Sequence, residues 1–269
     1  MSQKTCPYCA FTRSWILRRA KRKCKRCRRE WSEKRCPVPN IRSTETEWNH
    51  CIRVFLRERT VRRIIEETGI PHCRVERMMQ HLRRCMTECL PHTFSGIVEM
   101  DETYIGGQRK NQHLHIRRIQ GKRGHGTDKL PIVGLFSRNS GEVYVEVLKR
   151  KLDVKHIFTV IEERVQPGSI LYTDGFKMYR GLKETLYVHE FVDHLQGEMV
   201  RGDIHTNNIE GFWGILKRKL GCIGGMRRQY LPLFVAEIVW KFNHRKVSLL
   251  EQEKLLLTLI RETKFGGRS

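Results

Sequence analysis

Apolar residues recur at helical spacing from Ser43 onward. Thr44 and Glu47 make a capping box ahead of Trp48, Cys51, Ile52, Phe55 and Leu56, which fall on one helical face. A second helix carries Val61, Ile64 and Ile65 and stops at Thr68-Gly69-Ile70. A third starts with Pro71 in its first turn and turns Val75, Met78, Met79 and Leu82 inward. With Arg74, Arg77, Arg83 and Arg84 expected outward, residues 43–90 read as a helix-turn-helix module whose last helix can enter a DNA major groove. A plain helical packing domain is the alternative.

Beyond Pro91 the period changes to two. Phe94 to Tyr104 reads as a strand carrying Asp101, and Gly106 to Lys129, with seven Lys/Arg and one Asp, reads as a basic loop. Leu130 to Ser137 and Glu142 to Leu148 form a hairpin about Arg138-Asn139-Ser140-Gly141, with Val143, Val145 and Val147 alternating inward. Helical spacing returns at Val154, Ile157, Phe158, Ile161 and Val165 until Pro167-Gly168. Ile170 to Thr173 is a short buried strand ending on Asp174-Gly175, Tyr187 to Val192 supplies a fifth strand, and Asn208 to Leu220 a helix with Glu210 and Lys217. The order β-β-β-α-β predicts a mixed α/β, RNase H-like core over 93–250, with 251–269 left as a C-terminal tail.

Composition sharpens this picture at the amino terminus. The chain has 269 residues and a formal net charge of +23, and residues 1–40 hold 13 Lys/Arg against Glu30 and Glu33. Such a balance favours polyanionic partners. With 39% hydrophobic residues the chain can still build a core, which excludes a wholly disordered basic tail. Without an apolar run of about 18 residues or a leader-like N-terminus, the expectation is a soluble cytoplasmic protein associated with the nucleoid and not with a membrane. In a eukaryotic host, RRAKRKCKRCRR would serve as a nuclear address.

Cysteines in a reducing compartment favour metal ligation over disulfides. Cys6-Pro-Tyr-Cys9 and Cys24-Lys-Arg-Cys27, with 14 residues between them, each offer two thiolates from one tight turn, and together they predict a structural Zn²⁺ ribbon over 1–36. Cys36 is a competing ligand. Trp15 and Trp31 lie among Arg18, Arg19, Lys25, Arg28 and Arg29, a mixture suited to phosphate contact and base or sugar packing, unless the tryptophans only fill the small core.

Three carboxylates carry the candidate chemistry. Asp101 and Asp174 have 72 residues between them, and Asp174 and Glu210 have 35. Strand ends converging on one sheet edge, crossed by a helix bearing Glu210, would gather hard oxygen ligands for Mg²⁺ or Mn²⁺, which serve in-line phosphoryl transfer. Lys217 is two turns after Glu210 on the same face, and Gly214 between them leaves room for a DNA backbone. Glu102 is expected to be structural. His189, His194 and His205 are candidates for positioning water or phosphate, or else for polar packing. Trp213 reads as core, with a wedge beside a flipped nucleotide as the alternative.

The blocks VEMDETYIGGQRKN, SILYTDGFKMYRGL, HTNNIEGFWGILKRKL and LFVAEIVWKFNHRK together resemble, in order, those of ISXO-like insertion-sequence transposases, relatives of Merlin transposons. The resemblance spans about 94–245. It implies a DDE transposase that nicks transposon ends and joins the 3′-hydroxyl to target DNA, acting on double-stranded terminal repeats as a homodimer or larger assembly. Carried onto this chain, Asp101 and Asp174 are the first two acids. Glu210 is the third by spacing, and Asn207, whose carbonyl can ligate a metal without adding charge, is the alternative. The stretch after the ribbon departs from the family pattern, with Cys36-Pro-Val-Pro where a small Gly-Thr segment usually stands. Two other readings are a DNA-binding regulator with an inactive nuclease core and a related RNase H-like nuclease without strand transfer.

Overall fold

A computed structural model of the chain describes residues 5–18, 21–32, 38, 41, 43–58, 60–91, 93–106, 129–148, 152–174, 186–192, 203–223 and 226–263. Cys36, His194, Gly175 and the interior of the 106–129 loop lie outside them. The chain divides into two compact units, one of residues 1–88 with 246–269 and one of residues 89–245. No described helix is long and apolar enough to cross a membrane.

In the first unit, strands β1 (Ser14–Leu17), β2 (Lys21–Cys24) and β3 (Glu30–Ser32) form an antiparallel sheet in the order β1-β2-β3. Helices α1 (Glu45–Leu56), α2 (Val61–Thr68) and α3 (His72–Thr87) follow. The Thr44–Glu47 capping box closes in both directions, and Gly69 ends α2 at φ 68°, a left-handed conformation that favours glycine. Two of the four arginines expected outward on α3 are engaged instead. Arg83 is buried with its guanidinium over the Phe55 ring, and Arg74 pairs with Glu47 at 2.8 Å; Arg77 and Arg84 are exposed. A long apolar stem explains Arg83, because arginine covers hydrophobic surface with its methylenes.

The carboxyl-terminal stretch also differs from the expected tail. Leu249–Glu262 is a helix, labelled α7 below, with a Ser248–Glu251 capping box and with Gln252, Leu256 and Ile260 buried. Arg53 of α1 holds Glu253 of this helix at 3.1 Å, and Arg261 pairs with Glu45. Burying Leu256 and Ile260 fixes the segment as part of the helical unit, at about 1.5–3 kcal/mol for each fully buried side chain.

In the second unit, β4 (Ile97–Ile105), β5 (Leu130–Ser137), β6 (Val143–Val147), β7 (Ile170–Asp174) and β8 (Val188–Val192) form one mixed sheet in the order β6-β5-β4-β7-β8. The pairs β6–β5 and β5–β4 are antiparallel, and β4-β7-β8 run parallel. This is the RNase H-like sheet, and α4 (Val154–Arg164) makes the crossover into its parallel half. Strand β4 starts at Ile97, later than the expected Phe94, because Gly96 takes φ 76° and breaks the extended run; Phe94 keeps an isolated bridge to Val165.

Alternation on β4 assigns its side chains to two layers. Val98 and Met100 join Leu171 and the α4 residues Ile157, Val160 and Ile161 in one core. The opposite face is covered by α5 (Asn207–Gly221) and α6 (Leu231–Asn243), whose Ile209, Phe212, Trp213, Leu216, Val235 and Val239 pack with Ile132, Val143 and Val145. Glu99 and Asp101, spaced by two, share the β4 face that looks toward α5.

Candidate active site

The parallel ladder between β4 and β7 runs Ile97–Ile170, Val98–Leu171, Glu99–Tyr172 and then ends. Two residues further at the same offset stand Asp101 and Asp174. The charge of Asp174 acts on the Asp101 carboxyl, so the two acids are close enough to repel. Burial, then the charges of Glu102 and Asp174, pushes Asp101 up to about 7, although the Glu102 backbone and the Trp213 indole pull the other way. This pair is a natural seat for a divalent cation, which would offset the repulsion between hard oxygen ligands.

Helix α5 is fastened over this pair by a carboxylate from the sheet. Thr206, its N-cap, makes no side-chain cap bond. Glu99, fully buried, substitutes for it: Oε2 accepts from the backbone N–H of Asn208 at 2.9 Å and of Ile209 at 3.1 Å, and Oε1 accepts from the Asn208 side chain at 2.7 Å. These are orphan donors of a helix N-terminus, where negative charge is also favoured by the helix dipole. Arg138, from the hairpin turn, donates Nε to Glu99 Oε1 at 2.7 Å and reaches the carbonyls of Asp203 and His205 at 2.7 and 2.9 Å, with Tyr172 beneath its guanidinium. One arginine thus pins the whole approach to α5.

The sequence candidates fall into place around that anchor in different ways. Trp213 is buried and donates its indole N–H to Asp101 Oδ2 at 2.9 Å. Glu210, one turn earlier, is exposed, with Oε1 accepting from the Thr206 hydroxyl at 2.8 Å. Asn207 is exposed, its backbone N–H directed at His205 Nδ1 at 3.3 Å, and Lys217 is exposed two turns after Glu210. An added Cβ at Gly211 or Gly214 would meet nothing within 4 Å, so the outer face of α5 is open. His205 joins Arg138 at 2.8 Å in the anchor, whereas His189 bonds Thr173, the neighbour of Asp174, at 2.9 Å. Asp101 and Asp174 lie within electrostatic reach of each other, while Oε1 of Glu210 is turned toward its own helix start. Among the described residues, no group of three carboxylates is gathered tightly enough to be a ready metal cage.

Sequence reasoning missed Glu99 and Arg138. A signal was present, since an acid two residues before Asp101 on the same strand must share its face.

The four cysteines form the second candidate centre. Their sulfurs all lie within 4.8 Å of one another, with Cys6–Cys27 at 3.6 Å and Cys9–Cys24 at 3.5 Å. Thiolates at 2.3 Å from a tetrahedral Zn²⁺ stand about 3.8 Å apart, so the set fits that ion. The two pairs are local copies. Cys6 N–H bonds Phe11 O and Ala10 N–H bonds Cys6 O, just as Cys24 N–H bonds Arg29 O and Arg28 N–H bonds Cys24 O. Burial pushes the Cys24 thiol up, but the backbone N–H groups of Cys27 and Arg26 and the neighbouring sulfurs outweigh it and bring it down to about 6. Beside this centre, Lys25 and Arg28 lie over the half-exposed Trp15 ring and Arg29 over the exposed Tyr8 ring.

Residues 93–243 match the ISXO2-like transposase domain. The chain is 30% identical over 226 residues, 81% of its length and 74% of the relative's, to an uncharacterized protein in transposable element ISH50 of Halobacterium salinarum. It is likewise 30% identical over 100 residues to an uncharacterized transposase-like protein of Haemophilus influenzae, covering 36% of this chain and 80% of that one. A solved structure of the HTLV-2 integrase catalytic core domain in complex with magnesium aligns with a TM-score of 0.32 at 11% identity, over 55% of this chain and 84% of that one.

Proposed function

The chain belongs to the ISXO2-like transposase family, and on that premise we propose that it cuts transposon ends and transfers the freed 3′-hydroxyl to target DNA in a divalent-metal-dependent reaction. The observation that supports this reading is the end of the β4–β7 ladder two residues before Asp101 and Asp174, where their charges interact, with the helix that bears Trp213 fastened by Glu99. In this reading Asp101 and Asp174 hold Mg²⁺ or Mn²⁺, and α5 contributes the third ligand. Glu210 is preferred over Asn207 because it brings charge; its Oε1 accepts from the Thr206 hydroxyl. When bound, the metal ions supply Lewis acidity that activates the attacking oxygen and stabilises the leaving one.

The remaining residues bind and orient DNA. The open face of α5, with Gly211, Gly214 and Lys217, admits a phosphate backbone and offers a cation to it. The cysteine centre, taken to hold Zn²⁺, presents Trp15, Tyr8 and their stacked cations to double-stranded terminal repeats, and Arg77 and Arg84 of α3 supply further phosphate contacts. Joining two ends calls for at least a homodimer.

A strand-transfer assay separates this function from a nuclease. Duplexes carrying the element's ends with free 3′-hydroxyls should become covalently joined to a plasmid in the presence of Mg²⁺. Cutting without joining would favour the related nuclease, and end binding without either would favour a regulator. Replacing Cys24 and Cys27 with Ser should release zinc and weaken end binding; unchanged metal content would overturn the ribbon's assignment.

A further inference from the structure

The contact between Trp213 and Asp101 is built from three sides. The indole is 4% exposed and lies against β5, where Gly134 is the register partner of Asp101. A Cβ at Gly134 would lie 2.4 Å from Trp213 Cη2, 2.6 Å from Cζ2 and 3.0 Å from Ile209 Cδ1. No other side chain fits there without moving the indole. A strand interior is a poor place for glycine unless something must approach closely, and here that is the aromatic ring of α5. The ring's one polar atom, Nε1, is directed at Oδ2 of Asp101 at 2.9 Å. Core packing alone would be served equally by an aromatic ring with no donor.

We propose that Trp213 is a positioning residue that occupies Oδ2 of Asp101, leaving Oδ1 as the oxygen presented to the metal, and that Gly134 is the slot that permits it. This rests on the reading of Asp101 as a metal ligand. Partners of ligating carboxylates fix their orientation, and their loss commonly weakens metal binding by about 10–100-fold. The geometry further selects between ions. Mg²⁺ and Mn²⁺ in octahedral sites suit one oxygen per carboxylate, whereas Ca²⁺ tolerates a bidentate one.

Calorimetric titration of the zinc-loaded, full-length protein with Mn²⁺ and with Ca²⁺ tests this directly. Trp213→Phe keeps a ring and removes the donor, and Gly134→Ala keeps the donor and displaces it. In both variants Mn²⁺ should bind about tenfold more weakly, with a smaller loss for Ca²⁺, so that the preference for Mn²⁺ falls. Unchanged Mn²⁺ binding, or equal losses for both ions, would overturn the proposal. A wild type that titrates like Asp101→Ala would overturn the metal-site reading itself, and the proposal with it. Wild-type NMR supplies a measurement that needs no folded Trp213 variant: one of the indole N–H resonances should shift saturably with Mg²⁺ and fail to do so in Asp101→Asn. If no indole resonance responds, Trp213 has no part in positioning the ligand.

Discussion

Asp101 costs the fold stability. Its ordinary value of 3.8 is raised to about 7, by burial first and then by Glu102 and Asp174. Between those limits the folded carboxyl keeps a proton that the unfolded chain has released, so stability falls as pH rises through this window and the penalty is complete above it. A shift of this size corresponds to about 4 kcal/mol. Asp101→Asn should therefore be more stable than wild type in metal-free buffer at pH 8, with the gap closing toward pH 4. Urea unfolding at the two pH values measures this, and parallel pH profiles would refute it. Backbone strain offers a second test at the cysteine turns, where Ala10 and Arg28 adopt φ of 56° and 62°. Ala10→Gly should relieve about 1 kcal/mol, seen as slower zinc loss to a chelator. Of these details, the acids and cysteines were readable from residue type and spacing. The Trp213–Asp101 bond was not, because an apolar environment for tryptophan says nothing about where its N–H points.

The order of strands and helices in the catalytic core followed closely from the sequence, since half-buried strands and amphipathic helices have distinct periods. What escaped were features in which charge is buried. Glu99 lies in a strand that reads as core, and only the tertiary fold shows that its carboxylate caps a helix at Asn208 and Ile209, 109 and 110 residues away in sequence. Arg83 was expected outward for the same reason. Helix α7 was missed differently: Leu249, Leu250 and Leu255 are exposed while Leu256 and Ile260 are buried, so its leucines mark no single stripe. The Ser248–Glu251 capping box was the better clue. The Glu99 anchor predicts an asymmetry between two acids. Glu99→Gln removes the charge of a fully buried carboxylate paired with the partly buried Arg138 and should cost about 3 kcal/mol, whereas Glu210→Gln on the exposed face should stay within about 0.5 kcal/mol. Denaturant midpoints compare them, and equal effects would show that Glu99 does not hold α5.

For the whole chain, a net charge of +23 favours long-range attraction to a polyanion, which the proposed function takes to be DNA. Affinity for duplex ends should then fall steeply with salt; eight phosphate contacts would imply a loss of about 10³–10⁵ between 50 and 200 mM. Fluorescence anisotropy across that range measures it, and a flat response would exclude backbone contact as the main source of affinity. The proposed chemistry is placed where β4 and β7 part, at Asp101 and Asp174. Its most direct test is Mg²⁺-dependent nicking of a labelled duplex bearing the element's own ends, comparing wild type with Asp101→Ala, Asp174→Ala, Asn207→Ala and Glu210→Ala. Wild type and Asn207→Ala should nick, and the three acid variants should not while retaining end binding. Nicking that survives Asp101→Ala or Asp174→Ala would contradict this placement.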